Sequence, residues 1–205
     1  MRFASWLGLL AAALFVSTAS AQVDPGLTEA VKALSRGGYV IVFRHGATHP
    51  DQADTDPLNL DNVAQQRQLN DAGRAKHKEI GEAFRKLKIQ VSSVHTSKIY
   101  RAIETGKLMF PEVAPQPTID LVEVGQVSTP IENNRRIAAL RKLAATAPPP
   151  GANVVVVTHR PNILDAFGKD WFDVREAEAT IVRPEGTGHR FIVRVKADDW
   201  AKLAQ

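Results

Sequence analysis

The chain has 205 residues and not one of them is cysteine. Disulfide staples, iron–sulfur clusters, thiolate zinc sites and cysteine nucleophiles are thereby excluded together. Long apolar runs are also scarce. The longest, Trp6 to Val16, falls well short of the roughly 18 to 20 apolar residues that span a bilayer. Neither sign of charge dominates: 26 Lys and Arg face 22 Asp and Glu, a mild excess of +4. The basic residues stand singly (Arg36, Lys76, Lys86, Arg135, Lys142), without aromatic interleaving, as on solvated helix faces. That pattern gives no ground for nucleic-acid binding. What is present is one domain's worth of mixed apolar and charged sequence, large enough to bury a core and without repeats or low-complexity blocks.

Residues 1–21 read as a cleavable secretory leader. Arg2 supplies a positive start, Trp6–Val16 the apolar stretch, and Ala19 and Ala21 an A-x-A cleavage site. Two segments follow from this reading: a signal peptide over 1–21 and a single catalytic domain over 22–205. The implied location is periplasmic or secreted, with no stable membrane insertion after cleavage.

After residue 21 the chain alternates helical and extended patterns. Leu27–Leu34 has a helical apolar stripe closed by Gly37-Gly38, and Tyr39–Phe43 is a continuous β-branched and aromatic run. His49–Gln68 lacks a period and reads as a long loop. Asn70 is a helix N-cap for a segment reaching about Leu87. A short strand at Val91–Val94, a helix over Lys98–Phe110 and a strand at Thr118–Val122 come next. Then follow a helix over Ile131–Ala145, a strand at Val154–Val157 and a short helix at Asn162–Phe167. Ala179–Val182 and Phe191–Val195 flank a Pro-Glu-Gly turn as a hairpin. The alternation predicts an α/β three-layer sandwich, a mostly parallel sheet with helices on both faces. Ligands of such sheets sit beyond the strand carboxyl ends.

Two strands end in histidine at that edge: Arg44-His45-Gly46 after the early strand and His159-Arg160 after the late one. A single such histidine is unremarkable. Two at equivalent positions, each beside an arginine, point to an anion site. Arg44-His45-Gly46 also resembles the signature of the histidine phosphatase superfamily, the phosphoglycerate mutase-like proteins. Leu69–Arg74 resembles that family's next helix start, and Ser97-Lys98-Ile99-Tyr100-Arg101-Ala102-Ile103-Glu104-Thr105 its segment with a second phosphate-binding arginine. Leu121–Gly125 is similar to the stretch bearing its proton donor, and Val154–His159 to the strand before its second histidine.

The resemblance implies an exported phosphatase that hydrolyses a small phosphate monoester through a phosphohistidine. His45 would be the nucleophile, Arg44, Arg101 and His159 would bind the phosphoryl group, and Glu123 would protonate the leaving oxygen. His159 would act as the imidazolium. The loop acids Asp51, Asp54, Asp56 and Asp61 are substitutes for Glu123. Arg160 departs from the family, where a small residue is common, and is a candidate substrate contact. No metal or other cofactor is expected. Two alternatives stand: a weak or inactive member that binds a phosphorylated envelope ligand, and a phosphomutase. Specificity should come from the 47–68 loop and residues 123–135; neither the substrate nor the oligomeric state can be read from sequence.

Overall fold

The computed structural model describes residues 24–123 and 129–205; the leader expected over 1–21 lies outside the described residues. Six strands form one sheet: β1 Val40–Arg44, β2 Val91–Ser97, β3 Pro115–Thr118, β4 Asn153–Thr158, β5 Ala179–Glu185 and β6 Gly188–Val195. Their order across the sheet is β3-β2-β4-β1-β5-β6. The four strands from β3 to β1 run parallel, while β5 pairs antiparallel with β1 and then with β6. The sheet is therefore mixed, its parallel part carrying the crossover helices and its antiparallel edge the expected hairpin. That hairpin extends beyond the predicted spans and turns at Gly186, whose φ of 58° suits glycine.

Side-chain alternation along the central strands explains the three layers. Ile41, Phe43, Val155 and Val157 point to one face, where they meet Ile80 and Phe84 of α2 (Asp71–Lys86) and Met109 of α3 (Tyr100–Met109). Val40, Val42 and Val156 point to the other, against Leu140 of α4 (Pro130–Ala145) and Ile163 of α5 (Arg160–Phe167). A strand buried on both faces must be apolar throughout, which is why Tyr39–Phe43 reads as a continuous run. The first face also takes α1 (Pro25–Ala33), capped by Asp24, and α6 (Asp199–Leu203). Trp200 of α6 is fully buried, with its ring 4.7 Å from Phe84 and 6.1 Å from Phe43. It ties the last helix to the core.

One expectation needs correction. The strand predicted at Thr118–Val122 is displaced: β3 ends at Thr118, and Ile119–Leu121 make a single 3-10 turn. The Thr118 hydroxyl accepts a hydrogen bond from the Asp120 N–H at 3.1 Å, so a local cap outcompetes sheet pairing. Pro115 and Pro117 are tolerated in β3 because it is an edge strand. The turn has a consequence for the site. It carries the chain away from the sheet so that Glu123 faces back toward the ends of β2 and β4.

Candidate active site

Three neighbouring strands, β2, β4 and β1, deliver Ser97, His159 and His45 to one edge. Arg44 lies opposite Thr158 in the β1–β4 register, so the histidines that follow sit side by side, ring centroids 5.1 Å apart. Both are buried. Arg101 comes from the first turn of α3 and is fully buried.

His45 is held in one tautomer. Its Nδ1 lies 2.8 Å from the Gly46 carbonyl, which only accepts, so the proton sits on Nδ1 and Nε2 keeps its lone pair. Burial, then the neighbouring Arg101 charge, push the His45 pKa well below its ordinary value, overriding the stabilising Gly46 hydrogen bond. The ring is thus an unprotonated base at neutral pH. Gly46 is fixed in turn: its N–H donates to Thr105 Oγ1 at 3.2 Å, and a Cβ there would overlap the buried His77 ring. Glycine is required at that position by space.

His159 Nε2 lies 2.8 Å from Ser97 Oγ, and Ser97 Oγ already accepts the Ile99 N–H at 3.1 Å. A Glu123 carboxylate oxygen 3.8 Å from Nδ1 favours the proton on that nitrogen, so the serine hydroxyl, which can still donate, is the one that donates to Nε2. Burial, His45 and Arg101 hold the His159 pKa well below its ordinary value. In the empty site His159 is therefore neutral and offers an N–H through Nδ1.

Arg101 carries two carboxylates. Asp54 accepts from Nη1 at 2.9 Å and from Nη2 at 3.1 Å, and Glu123 Oε1 accepts from Nη2 as well. The other Glu123 oxygen is 3.8 Å from His159 Nδ1. Arg44 donates to the Val174 carbonyl at 2.9 Å and pairs with Glu176 at 3.4 Å. Three buried nitrogens of this group have no hydrogen-bond partner: Arg44 Nε, Arg101 Nε and His159 Nδ1. Unpaired buried donors are costly, and their gathering around His45 marks a seat for an anion.

The structure thus brings together Arg44, His45, Arg101, Glu123 and His159. Arg160 is exposed at the start of α5, close enough to depress the Arg44 pKa by its charge, but outside the buried group. Of the loop acids only Asp54 reaches Arg101; Asp56 accepts from Asn62 at 2.8 Å and Asp61 pairs with Lys98 at 3.0 Å. Ser97 and Thr105 act on the two histidine segments without having been assigned roles, although both stand in the quoted Ser97–Thr105 motif. Arg67, whose guanidinium donates to Thr48 and whose backbone N–H donates to Asp54, had no sequence signal. Beside Glu123 and Asp54 opens a cavity of about 460 Å³, walled by Leu58, Leu60, Ile99 and Val122. It is room for the organic part of a ligand. Among the described residues no cluster of three or more potential metal ligands occurs, and no helix is long and apolar enough to cross a membrane.

No family model matches the chain, and no curated protein matches it. Solved structures do. The protein histidine phosphatase SixA complexed with tungstate superposes with a TM-score of 0.56 at 17% identity, over 78% of this chain and 98% of that one. A mutant phosphoserine phosphatase from Entamoeba histolytica in complex with phosphoserine gives 0.54 at 12% identity, over 78% and 97%. A mycobacterial glucosyl-3-phosphoglycerate phosphatase with VO3 gives 0.56 at 16% identity, over 77% and 98%. At such identities the likeness establishes the shared fold.

Proposed function

We propose that the protein is an exported phosphatase that hydrolyses a small phosphate monoester through a phosphohistidine on His45. The observation that carries this reading is the free Nε2 of a neutral His45 beside three unpartnered donors, Arg44 Nε, Arg101 Nε and His159 Nδ1. A monoester dianion fits that set, because charge moving onto its equatorial oxygens during transfer is what such donors stabilise. His45 Nε2 attacks phosphorus in line. The bond to the leaving oxygen breaks, and Glu123 supplies that oxygen with a proton. Water then attacks the phosphohistidine while giving a proton back to the Glu123 carboxylate; the N–P bond breaks, inorganic phosphate leaves, and Nε2 and the acid are restored. The alcohol portion occupies the cavity beside Glu123, and Arg160 at its exposed position contributes a substrate contact. Export rests on the 1–21 leader, and the catalytic domain is read over 22–205. That three solved proteins of similar fold are named as a protein histidine phosphatase, a phosphoserine phosphatase and a glucosyl-3-phosphoglycerate phosphatase adds support.

The test is release of inorganic phosphate from an aryl phosphate by the wild type and by His45→Ala. The variant is expected to lose the activity, and residual turnover above about 1% of wild type removes His45 as nucleophile. A folded wild type that binds vanadate but turns over no substrate would favour the binding-only alternative. Transfer of phosphate between two positions of one substrate, without net release, would favour a mutase.

A further inference from the structure

Arg101 presents two distinct forks of donors, and the site uses them differently. The end-on fork, Nη1 with Nη2, is filled by both oxygens of Asp54. The side-on fork, Nε with Nη2, is half filled: Glu123 takes Nη2 while Nε has no partner. A phosphoryl group that binds through two parallel N–H bonds finds its open seat on the side-on fork, next to the unpartnered Nδ1 of His159. The anion it must displace there is Glu123, which bridges those same two residues. Asp54 lies on the opposite edge of the guanidinium and need not move.

We propose that Asp54 is a positioning residue: it remains on the end-on fork throughout turnover and holds the Arg101 guanidinium so that its side-on fork faces the phosphoryl group. This deepens the phosphatase reading and rests on it. The mounting of Asp54 suits the role. Its Oδ1 also accepts the Arg67 backbone N–H at 2.9 Å, and Arg67 is itself tied to Thr48 near the nucleophile. Burial alone would raise the Asp54 carboxyl, but hydrogen bonds from Arg101 and Arg67 outweigh it and keep the group ionised. Asp54 is fixed by both oxygens on Arg101 and by the Arg67 N–H, whereas Glu123 has one oxygen on Arg101, on the fork that the phosphoryl group takes, so Asp54 leaves the set of substitutes for Glu123. It also explains a loop aspartate more than forty residues away in sequence from the arginine it serves.

The test compares wild type, Asp54→Asn and Asp54→Glu for orthovanadate binding and for kinetics on two aryl phosphates, one with a good and one with a poor leaving group. Thermal unfolding confirms that each variant is folded at the assay temperature. Asp54→Asn is expected to weaken vanadate binding and raise KM by about 10- to 100-fold, the scale of losing a bidentate charged pair. The factor should be the same for both leaving groups, and Asp54→Glu should recover part of it. Tighter or unchanged vanadate binding by a folded Asp54→Asn would overturn the proposal, since it would mean that Asp54 competes for the phosphoryl seat. A kcat loss confined to the poor leaving group would overturn it too, by making Asp54 the proton donor. If the wild type itself neither binds vanadate nor releases phosphate, it is the phosphatase reading that fails.

Discussion

Ser97→Ala isolates the contribution of a tautomer. Ser97 and His159 are both fully buried, and with Ser97 Oγ donating to Nε2 at 2.8 Å the His159 proton stays on Nδ1, the nitrogen facing Glu123 and the phosphoryl seat. Without the hydroxyl, two arrangements remain. The proton stays on Nδ1 and Nε2 becomes a buried acceptor with no partner, or it moves to Nε2 and a lone pair faces the incoming phosphoryl oxygens. The first costs about 1–3 kcal/mol, the usual penalty for a buried polar atom left unsatisfied. The second forfeits a hydrogen bond to a charged acceptor, of similar size. The first falls on stability alone; the second, which the Ser97 contact now prevents, should lower kcat/KM on an aryl phosphate by about 5- to 150-fold. The vanadate inhibition constant should rise in step, because the lost donor acts on the transferring group. Ser97 Oγ also accepts the Ile99 N–H, so some stability is lost, and a melting curve must place the variant in its folded state at the assay temperature. A folded Ser97→Ala enzyme within about twofold of wild-type kcat/KM would refute the reasoning, since His159 Nδ1 would then not depend on Ser97 for its proton.

Two further predictions concern what packs around the His45 turn. His77 is fully buried with its Nδ1 on the Gly73 carbonyl at 2.7 Å, and burial lowers its pKa to about 4 from an ordinary 6.5. The unfolded chain therefore takes up this proton first as pH falls, and stability present above pH 6.5 is lost progressively down to about 4, by roughly 3 kcal/mol from His77 alone. Urea midpoints measured at pH 7 and pH 5 should separate in that direction, and His77→Phe should narrow the gap; a gap unchanged in the variant assigns the acid sensitivity to other groups. At Gly73, a Cβ would overlap the Ala47 backbone, two residues after His45. Gly73→Ala should destabilise by about 1–3 kcal/mol in urea unfolding and lower kcat/KM as well, and a variant as stable and active as wild type would show that the α2 start does not brace the catalytic turn.

What the sequence disclosed and what it withheld divide along physical lines. Val40–Phe43 and Val154–Val157 were legible because a strand covered on both faces must be apolar without interruption, and because each ends in a histidine. The loop was opaque for the opposite reason. Asp54, Arg67 and Gln66 take their roles from contacts with Arg101, the backbone and Tyr100 across 13 to 47 positions of chain, and no local period records such pairs. Thr118–Val122 misled because a threonine before an aspartate serves a strand and a capped turn equally well, and the cap was decided by the Asp120 N–H.

Charge accounting links these observations. Arg44, Arg67 and Arg101 supply the cations around the two histidines, and Glu176, Asp54 and Glu123 stand against them. Two of those carboxylates lie on Arg101 and one on Arg44, while the Arg67 guanidinium meets Thr48; burial, with the charges of these arginines, keeps both histidines neutral in the empty site. A phosphate monoester dianion upsets that balance. It cannot share the Arg101 side-on fork with Glu123, so the phosphatase reading expects the arriving phosphoryl group to displace that carboxyl group from Arg101. On the phosphatase reading Glu123 is then free of Arg101, and only its protonated form can serve the leaving oxygen. On that reading, binding breaks the ion pair of the empty site and releases Glu123 for its proposed part as general acid.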